Sequence, residues 1–388
     1  MATTSTRNTP RAPAAAGGAV SNPSHPRDAI WPGLASGVPK PLMPYSPAIR
    51  AGDWLFVAGT IASDFKTGLA PEVKQAPPFL DEPLAVQGRY VLKNLFNTML
   101  AAGASPENDM VRMWQWLVSD RPTPTDLERG DLSTGVELPP YLRVRRDVLP
   151  SRIPPSSEAG VRELLCLGTQ IEVEMICRVD GARNEWFGEP VVPHGHAPAL
   201  RRGDWVFLSA QHGVEATDPG VTDWTASRVE AQTDAALAKL ERLAALAGSS
   251  LARTVKAEVH IGHPRDFAAV DRVWRRWFPS TPPARVVIPN LGLGVPGARV
   301  QIALTLLTAT STLPIETVTT SDAPEPLGHE PQAVRVGDVL FLSTQMAFGP
   351  GGTLPQGMTR HPEFPWYGSP GQAQMRYMMK NVAAICEA

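Results

Sequence analysis

One block of ten residues returns three times in this chain, as Arg50-Ala-Gly-Asp-Trp-Leu-Phe-Val-Ala-Gly59, Arg201-Arg-Gly-Asp-Trp-Val-Phe-Leu-Ser-Ala210 and Arg335-Val-Gly-Asp-Val-Leu-Phe-Leu-Ser-Thr344. A Gln-led amphipathic segment follows each, near Gln87, Gln232 and Gln374. A spacing of about 140–150 residues is far too long for a solenoid repeat, so each copy is expected to be a small domain in its own right. Such a chain reads as a concatenated oligomer, and its functional sites are expected between copies rather than inside one.

The copies set the expected boundaries. Residues 1–40 read as a disordered tail, 41–183 as the first domain, 190–312 as the second, 313–326 as a Thr/Ser/Pro-rich linker and 327–388 as a partial third domain. In the first copy, Val91, Leu92, Leu95, Met99 and Leu100 form one stripe over Gln87–Ala102, and Gly103 ends the helix. A strand over 111–118, a helix over 141–148 and the alternating strand 170–177 follow. The second copy repeats the order with a helix over 232–247, a strand over 254–261, a helix over 270–277 and a strand over 299–308. Few, long helices against a mostly antiparallel or mixed sheet give an α+β plan. The third copy stops after its helix over 374–388. Its uncovered sheet edge and helix face point to a fragment, to self-association or to a partner that completes the domain.

Composition narrows the function. With 36 Lys+Arg against 38 Asp+Glu, the chain has a formal charge of -2 and no general electrostatic reason to bind nucleic acid or an anionic membrane. No apolar run is long enough to cross a bilayer. Cys166, Cys177 and Cys386 form no close-spaced pair, as expected of reduced thiols in a cytoplasmic protein. The first residues hold Arg7, Arg11 and Arg27, but their prolines and glycines would break a leader helix, so a tail is preferred to a targeting signal.

The Gly-Asp-(Trp/Val)-(Leu/Val)-Phe block, the Gln-led helix ending in Ala-Gly, and Pro283-Ala284-Arg285 together resemble the RidA/YjgF family. That resemblance implies chorismate-mutase-like α+β domains, two complete and one partial, in a covalent version of the family's trimer. It also implies hydrolysis of small carboxylated imines and enamines to ammonia and a 2-oxo acid, in clefts between units and without metal or other cofactor. Carried over by position, Arg285 would bind the substrate carboxylate and Glu172 would activate water. Ser209, Tyr45, His196 and Asp271 would complete the substrate-binding cleft. No copy is complete: Ser156 stands at the arginine position of the first, Gln301 at the glutamate position of the second, and Glu330 at the tyrosine position of the third. The resemblance therefore implies at most one composite site.

The chemistry supports those residue types. A guanidinium holds a carboxylate with two parallel hydrogen bonds, and a carboxylate can orient water toward an imine carbon. Each residue also has a plainer reading. Arg285 could pair with Asp271, Glu172 could be a solvent-facing strand residue beside Glu174, and Tyr45 or His196 could cap a strand. His194-Gly-His196 and His260-Ile-Gly-His263 lack a carboxylate or thiolate at matching spacing, so no metal is expected. Arg143-Val-Arg-Arg146 and Arg272-Val-Trp-Arg-Arg276 read as solvated helix faces, and Trp114, Trp116, Trp274 and Trp277 as interface or core residues. Two other functions stay open: a non-catalytic small-molecule-binding or scaffolding protein with degenerate sites, and a ring-opening amidohydrolase, which would need a Ser-Lys pair not evident here.

Overall fold

The repeated block folds as a hairpin rather than as one strand. Gly52, Gly203 and Gly337 all take a positive φ of 55–57° at the first central position of a two-residue turn. That is the place where a type II′ hairpin turn needs glycine. The computed structural model describes residues 27–74, 82–119, 138–149, 152–192, 194–214, 226–361 except 296, and 363–388 except 365 and 367. The expectation of a disordered tail over residues 1–26 lies outside the described residues.

In the first unit β2 (Ala48–Ala51) and β3 (Trp54–Ile61) flank the turn, after β1 (Arg27–Ile30) and before a short helix α1 (Pro71–Lys74). Helix α2 (Pro83–Ala101), strand β4 (Met110–Val118), helix α3 (Pro139–Val148) and strands β5 (Ser156–Val161) and β6 (Ile171–Arg178) complete it. The second unit repeats the order: β7 (Glu185–Phe187), β8 (Ala199–Arg202), β9 (Trp205–His212), α4 (Ala226–Leu246), β10 (Thr254–Ile261), α5 (Phe267–Trp277), β11 (Ala284–Pro289), β12 (Gly292–Leu293) and β13 (Val300–Leu307). The third holds β14 (Glu316–Val318), β15 (Ala333–Val336), β16 (Val339–Leu342) and α6 (Pro370–Glu387).

The sheets are mixed. The first runs β1-β2-β3-β6-β4-β5-β12 and the second β11-β10-β13-β9-β8-β7. Only β4–β5 and β10–β11 pair parallel among the described strands. Strand β6 alternates buried and half-buried along its length, as a strand with one face on a core must. Its inward residues Ile171, Val173, Met175 and Cys177 pack with Val91, Leu92, Leu95 and Met99 of α2. Another cluster joins all three units: Trp54 and Val111, Leu200 and Phe207, and Val334 and Val336. There the Trp54 and Trp205 rings meet edge to face, 4.9 Å between centroids. Among the described residues no helix is long and apolar enough to cross a membrane.

Two boundary expectations need correction. Residues 27–30 are not tail, because β1 pairs along the whole of β2 and so extends the first sheet. Part of the segment read as a linker belongs to the third sheet: Glu316–Val318 pairs with Ala333–Arg335, which satisfies backbone groups at that sheet's edge. Strand β12 crosses units and pairs Gly292 and Leu293 with Gly160 and Ala159 of the first sheet.

Candidate functional site

The residues expected to form one composite site fall in three places. Arg285 is the second residue of β11 and is wholly buried at the junction of the second and third units. Its Nη2 donates to Asp271 Oδ1 at 2.5 Å and also to Glu330 Oε2, to which Nε donates at 2.9 Å. The guanidinium lies over Trp274, 5.0 Å from the ring centre. Two carboxylates thus neutralise the side chain expected to grip substrate, and no free two-pronged clamp remains. Asp271 also accepts from the His329 amide at 2.9 Å. Burial would raise its pKa, but that amide and Arg285 outweigh it and hold the carboxyl below its ordinary value. At Glu330 burial wins, and the pKa rises.

Tyr45 and Glu172 lie together in the first unit. Burial, and after it the charge of Glu172, push the Tyr45 phenol up to about 12. Burial likewise raises Glu172, whose Oε1 fills the space where a Cβ on Gly59 would stand. Neither residue is recorded in contact with Arg285. Ser209 is used structurally: its hydroxyl donates to Ala197 O at 2.6 Å and accepts from the Ser156 amide at 3.0 Å, latching the second unit to the first.

His196 alone among the expected residues sits in a concentration of chemistry, at the junction of the first and second units. Glu158 of β5 is 1% exposed, His194 5% and His196 3%. Glu158 Oε2 lies 3.7 Å from His194 Nδ1, and Oε1 lies 3.8 Å from His196 Nδ1. Arg145 of α3, fully buried, donates through Nη1 to Glu158 Oε1 at 3.0 Å and through Nη2 to His194 O at 2.6 Å. Ser156 Oγ donates to the same Oε1 at 3.0 Å. The turn carrying both histidines is closed by backbone bonds from Val191 N to His196 O and from Gly195 N to Val191 O, with Gly195 at φ +76°.

Electrostatics follow from burial. Desolvation would raise Glu158, but His194, His196 and Arg145 overcome it and hold the carboxyl well below the usual range. Burial pulls His196 and His212 down to about 3. At neutral pH this cluster therefore holds a carboxylate beside the neutral imidazoles of His196 and His212. Several of its polar atoms have no hydrogen-bond partner: His194 Nδ1, both ring nitrogens of His196, His212 Nε2, and both amide atoms of Gln301. Gln301 stands opposite His212 in the β9–β13 ladder.

Sequence reasoning missed Glu158 and Arg145. Arg145 was read as part of a solvated helix face, yet α3 turns it inward onto Glu158, so its charge is met by a buried carboxylate instead of water. Trp114 and Trp116 do not close a core. With Phe56, Glu174, Lys256 and His260 they line a cavity of about 430 Å³ between the two complete sheets. Their indole nitrogens donate to Glu258 at 2.6 Å and to Glu174 at 2.9 Å.

The second unit, a mixed sheet backed by two helices, is an α+β domain. Residues 189–307 match the family model described as endoribonuclease L-PSP. RutC family protein y4sK of Sinorhizobium fredii is 31% identical over 107 residues, 28% of this chain and 82% of that protein. Protein DfrA of Myxococcus xanthus is 28% identical over 110 residues, 28% of this chain and 81% of that one. The chain belongs to the RidA/YjgF/RutC family. Among solved structures, a YjgF/YER057c/UK114 family member from Mycobacterium tuberculosis matches at 20% identity and a TM-score of 0.28, over 32% of this chain and 99% of that one. A chorismatase matches at 16% identity and a TM-score of 0.47, over 67% and 76%.

Proposed function

We propose that this chain is a hydrolytic deaminase of small carboxylated imines or enamines, working in the cleft between its first and second units. The three units are read as a covalent counterpart of the family's trimer. One observation carries the reading: His194, His196 and His212 bring buried, unpartnered polar atoms to the side of Glu158 and Arg145, and Gln301, likewise unpartnered, stands across the ladder from His212. Buried donors and acceptors left unmet cost about 1–3 kcal/mol each, so a built cluster of them is matched to something that enters.

Hydrolysis of an imine adds water across C=N. The resulting carbinolamine then expels ammonia and leaves the 2-oxo acid. The step needs an acceptor for the proton of water and a donor to the departing nitrogen, and the imidazoles beside Glu158 offer both. Arg145 Nε and Arg285 Nη1 are both buried without a partner, and of the two Arg145, though paired to Glu158, lies beside the imidazoles and offers the donor to the substrate carboxylate.

The neutralised Arg285 favours a second reading, a binding protein without turnover. Imines generated from amino acids by an amino-acid oxidase separate the two. Release of 2-oxo acid faster than solvent hydrolysis, lost in His196→Gln with the fold retained, supports the deaminase. A ligand-induced rise in melting temperature with no acceleration across several imines supports the binder.

A further inference from the structure

We propose that Glu158, His194 and His196 form a binding site for a divalent first-row transition metal, with zinc the best match. The carboxylate comes from β5 of the first unit and both imidazoles from the turn before β8 of the second, so the site would bridge two units. One ligand atom from each residue lies within 4.8 Å of the other two. A tetrahedral metal with bonds of about 2.1 Å places its donors roughly 3.4 Å apart. Glu158 Oε2 lies 3.7 Å from His194 Nδ1 and Oε1 lies 3.8 Å from His196 Nδ1, so each histidine faces a different oxygen, and the three ligand atoms, within 4.8 Å of one another, would close by up to about 1.4 Å on binding metal.

The side chains are aimed at this point and otherwise unexplained. All three are more than nine-tenths buried. His194 Nδ1 and both nitrogens of His196 lack any protein partner, which a metal would supply. Two imidazoles and one carboxylate form a donor set suited to zinc and its neighbours and poorly suited to calcium or magnesium, which favour all-oxygen shells. Three protein ligands leave a coordination position open.

The surroundings act as an outer shell. Ser156 Oγ and Arg145 Nη1 donate to Glu158 Oε1, leaving Oε2 to face His194. Arg145 Nη2 fixes the His194 carbonyl. Hydrogen bonds of this kind orient a ligating carboxylate, although the guanidinium charge also lowers affinity for a cation. Gly294 packs against the cluster: a Cβ there would lie 3.4 Å from His194 Cε1 and 3.7 Å from Glu158 Oε2. The spacing His194-Gly-His196 was visible in the sequence, while the carboxylate that completes it lies in another unit.

A metal on these nitrogens would replace the proton transfers assigned above to the imidazoles, so the two readings are alternatives for one cluster, and the test of the metal needs no enzymatic assay. The full chain, made without a metal-affinity tag and stripped with chelator, is dialysed against ZnCl2 or CoCl2 and its metal content measured. Retention of about one zinc per chain, and a visible spectrum of four-coordinate Co2+ with nitrogen and oxygen donors, are expected. His196→Gln and Glu158→Gln, checked for fold by circular dichroism, should each weaken zinc at least tenfold, while His263→Gln at an exposed position should not. Failure of the wild-type chain to retain either metal overturns the proposal, as does zinc binding unchanged in both cluster variants. Should those variants not fold, the cobalt spectrum of the wild-type chain decides alone, and an octahedral aquo-like spectrum counts against the site.

Discussion

Ser156 and Arg285 occupy the same place in consecutive units, and each donates its backbone N–H to a serine hydroxyl of the unit that follows: Ser156 to Ser209 at 3.0 Å, Arg285 to Ser343 at 3.1 Å. Each pairs with a residue three positions into the neighbouring parallel strand, Met113 and Ala257. The latch is kept while the chemistry has moved. Eleven residues upstream (156 − 145 and 285 − 274) stand Arg145 and Trp274, both fully buried. In the second unit the strand carries the guanidinium and the helix an indole beneath it. In the first, the helix carries the guanidinium and the strand a serine.

Arg285→Met should destabilise the chain without abolishing turnover in the cleft between the first two units. Removing one partner of a buried ion pair strands the other charge at a typical cost of about 3–5 kcal/mol, and here Glu330 loses its cation while Asp271 keeps Arg275, 3.0 Å away. Denaturant unfolding measures the first effect and 2-oxo acid release the second. An inactive variant of unchanged stability would return the site to Arg285.

Stability should fall as pH drops from neutral, and His196 and His212 should supply part of the slope. Burial sets both folded pKa values near 3, against an ordinary value of 6.5. Between those limits the unfolded chain binds more protons than the folded one, so stability rises with pH across the window and is lost on acidification. Each such histidine contributes at most about 1.4 kcal/mol per pH unit. Unfolding free energies between about pH 7 and 4 should show a shallower slope in His212→Gln. Parallel curves would mean that the ring is hydrated in the fold.

Much of the framework was legible because it is written locally. The Gly-Asp turn, the Gln-led helices and the alternation of Ile171, Val173, Met175 and Cys177 each act over a few residues. The site was not legible, because it depends on which unit faces which. Arg285 and His196 lie at two different junctions and Tyr45 lies in the first unit, so matching each to the same pattern joined residues that the fold keeps apart. Glu158 carries no periodic or motif signal, and the basic cluster around Arg145 reads as a solvated helix face. Their meaning appears only when α3 turns Arg145 onto a strand eleven residues away.

Gly213→Ala should cripple the second unit. A Cβ at Gly213 would lie 2.2 Å from the Cα and carbonyl oxygen of Gln232 in α4, and backbone cannot swing aside as a side-chain tip can. The Gln232 side chain pins the same helix by donating to Gly297 O at 3.1 Å and accepting from Arg299 N at 2.8 Å. Overpacking of this kind costs about 1–3 kcal/mol or more. Thermal unfolding of the variant should show a clear loss, and a melting temperature equal to wild type would contradict so close an approach.

Lys256 supplies a prediction at alkaline pH. Its ammonium lines the cavity between the two sheets and donates to the carbonyl of Leu342 in the third unit. Burial pulls its pKa from 10.5 down to about 8, with the charges of Glu258 and Glu330 resisting. Between those values the unfolded chain holds a proton that the folded chain has released. The contribution of this residue to stability therefore increases with pH across that window, by at most about 1.4 kcal/mol per unit. Lys256→Met cannot titrate, so its stability curve should lack that upward component between about pH 8 and 10, besides a constant offset from the lost bond to Leu342. Curves that run parallel to wild type would show that water reaches the amine through the open side of the cavity, and that the third unit does not seal it.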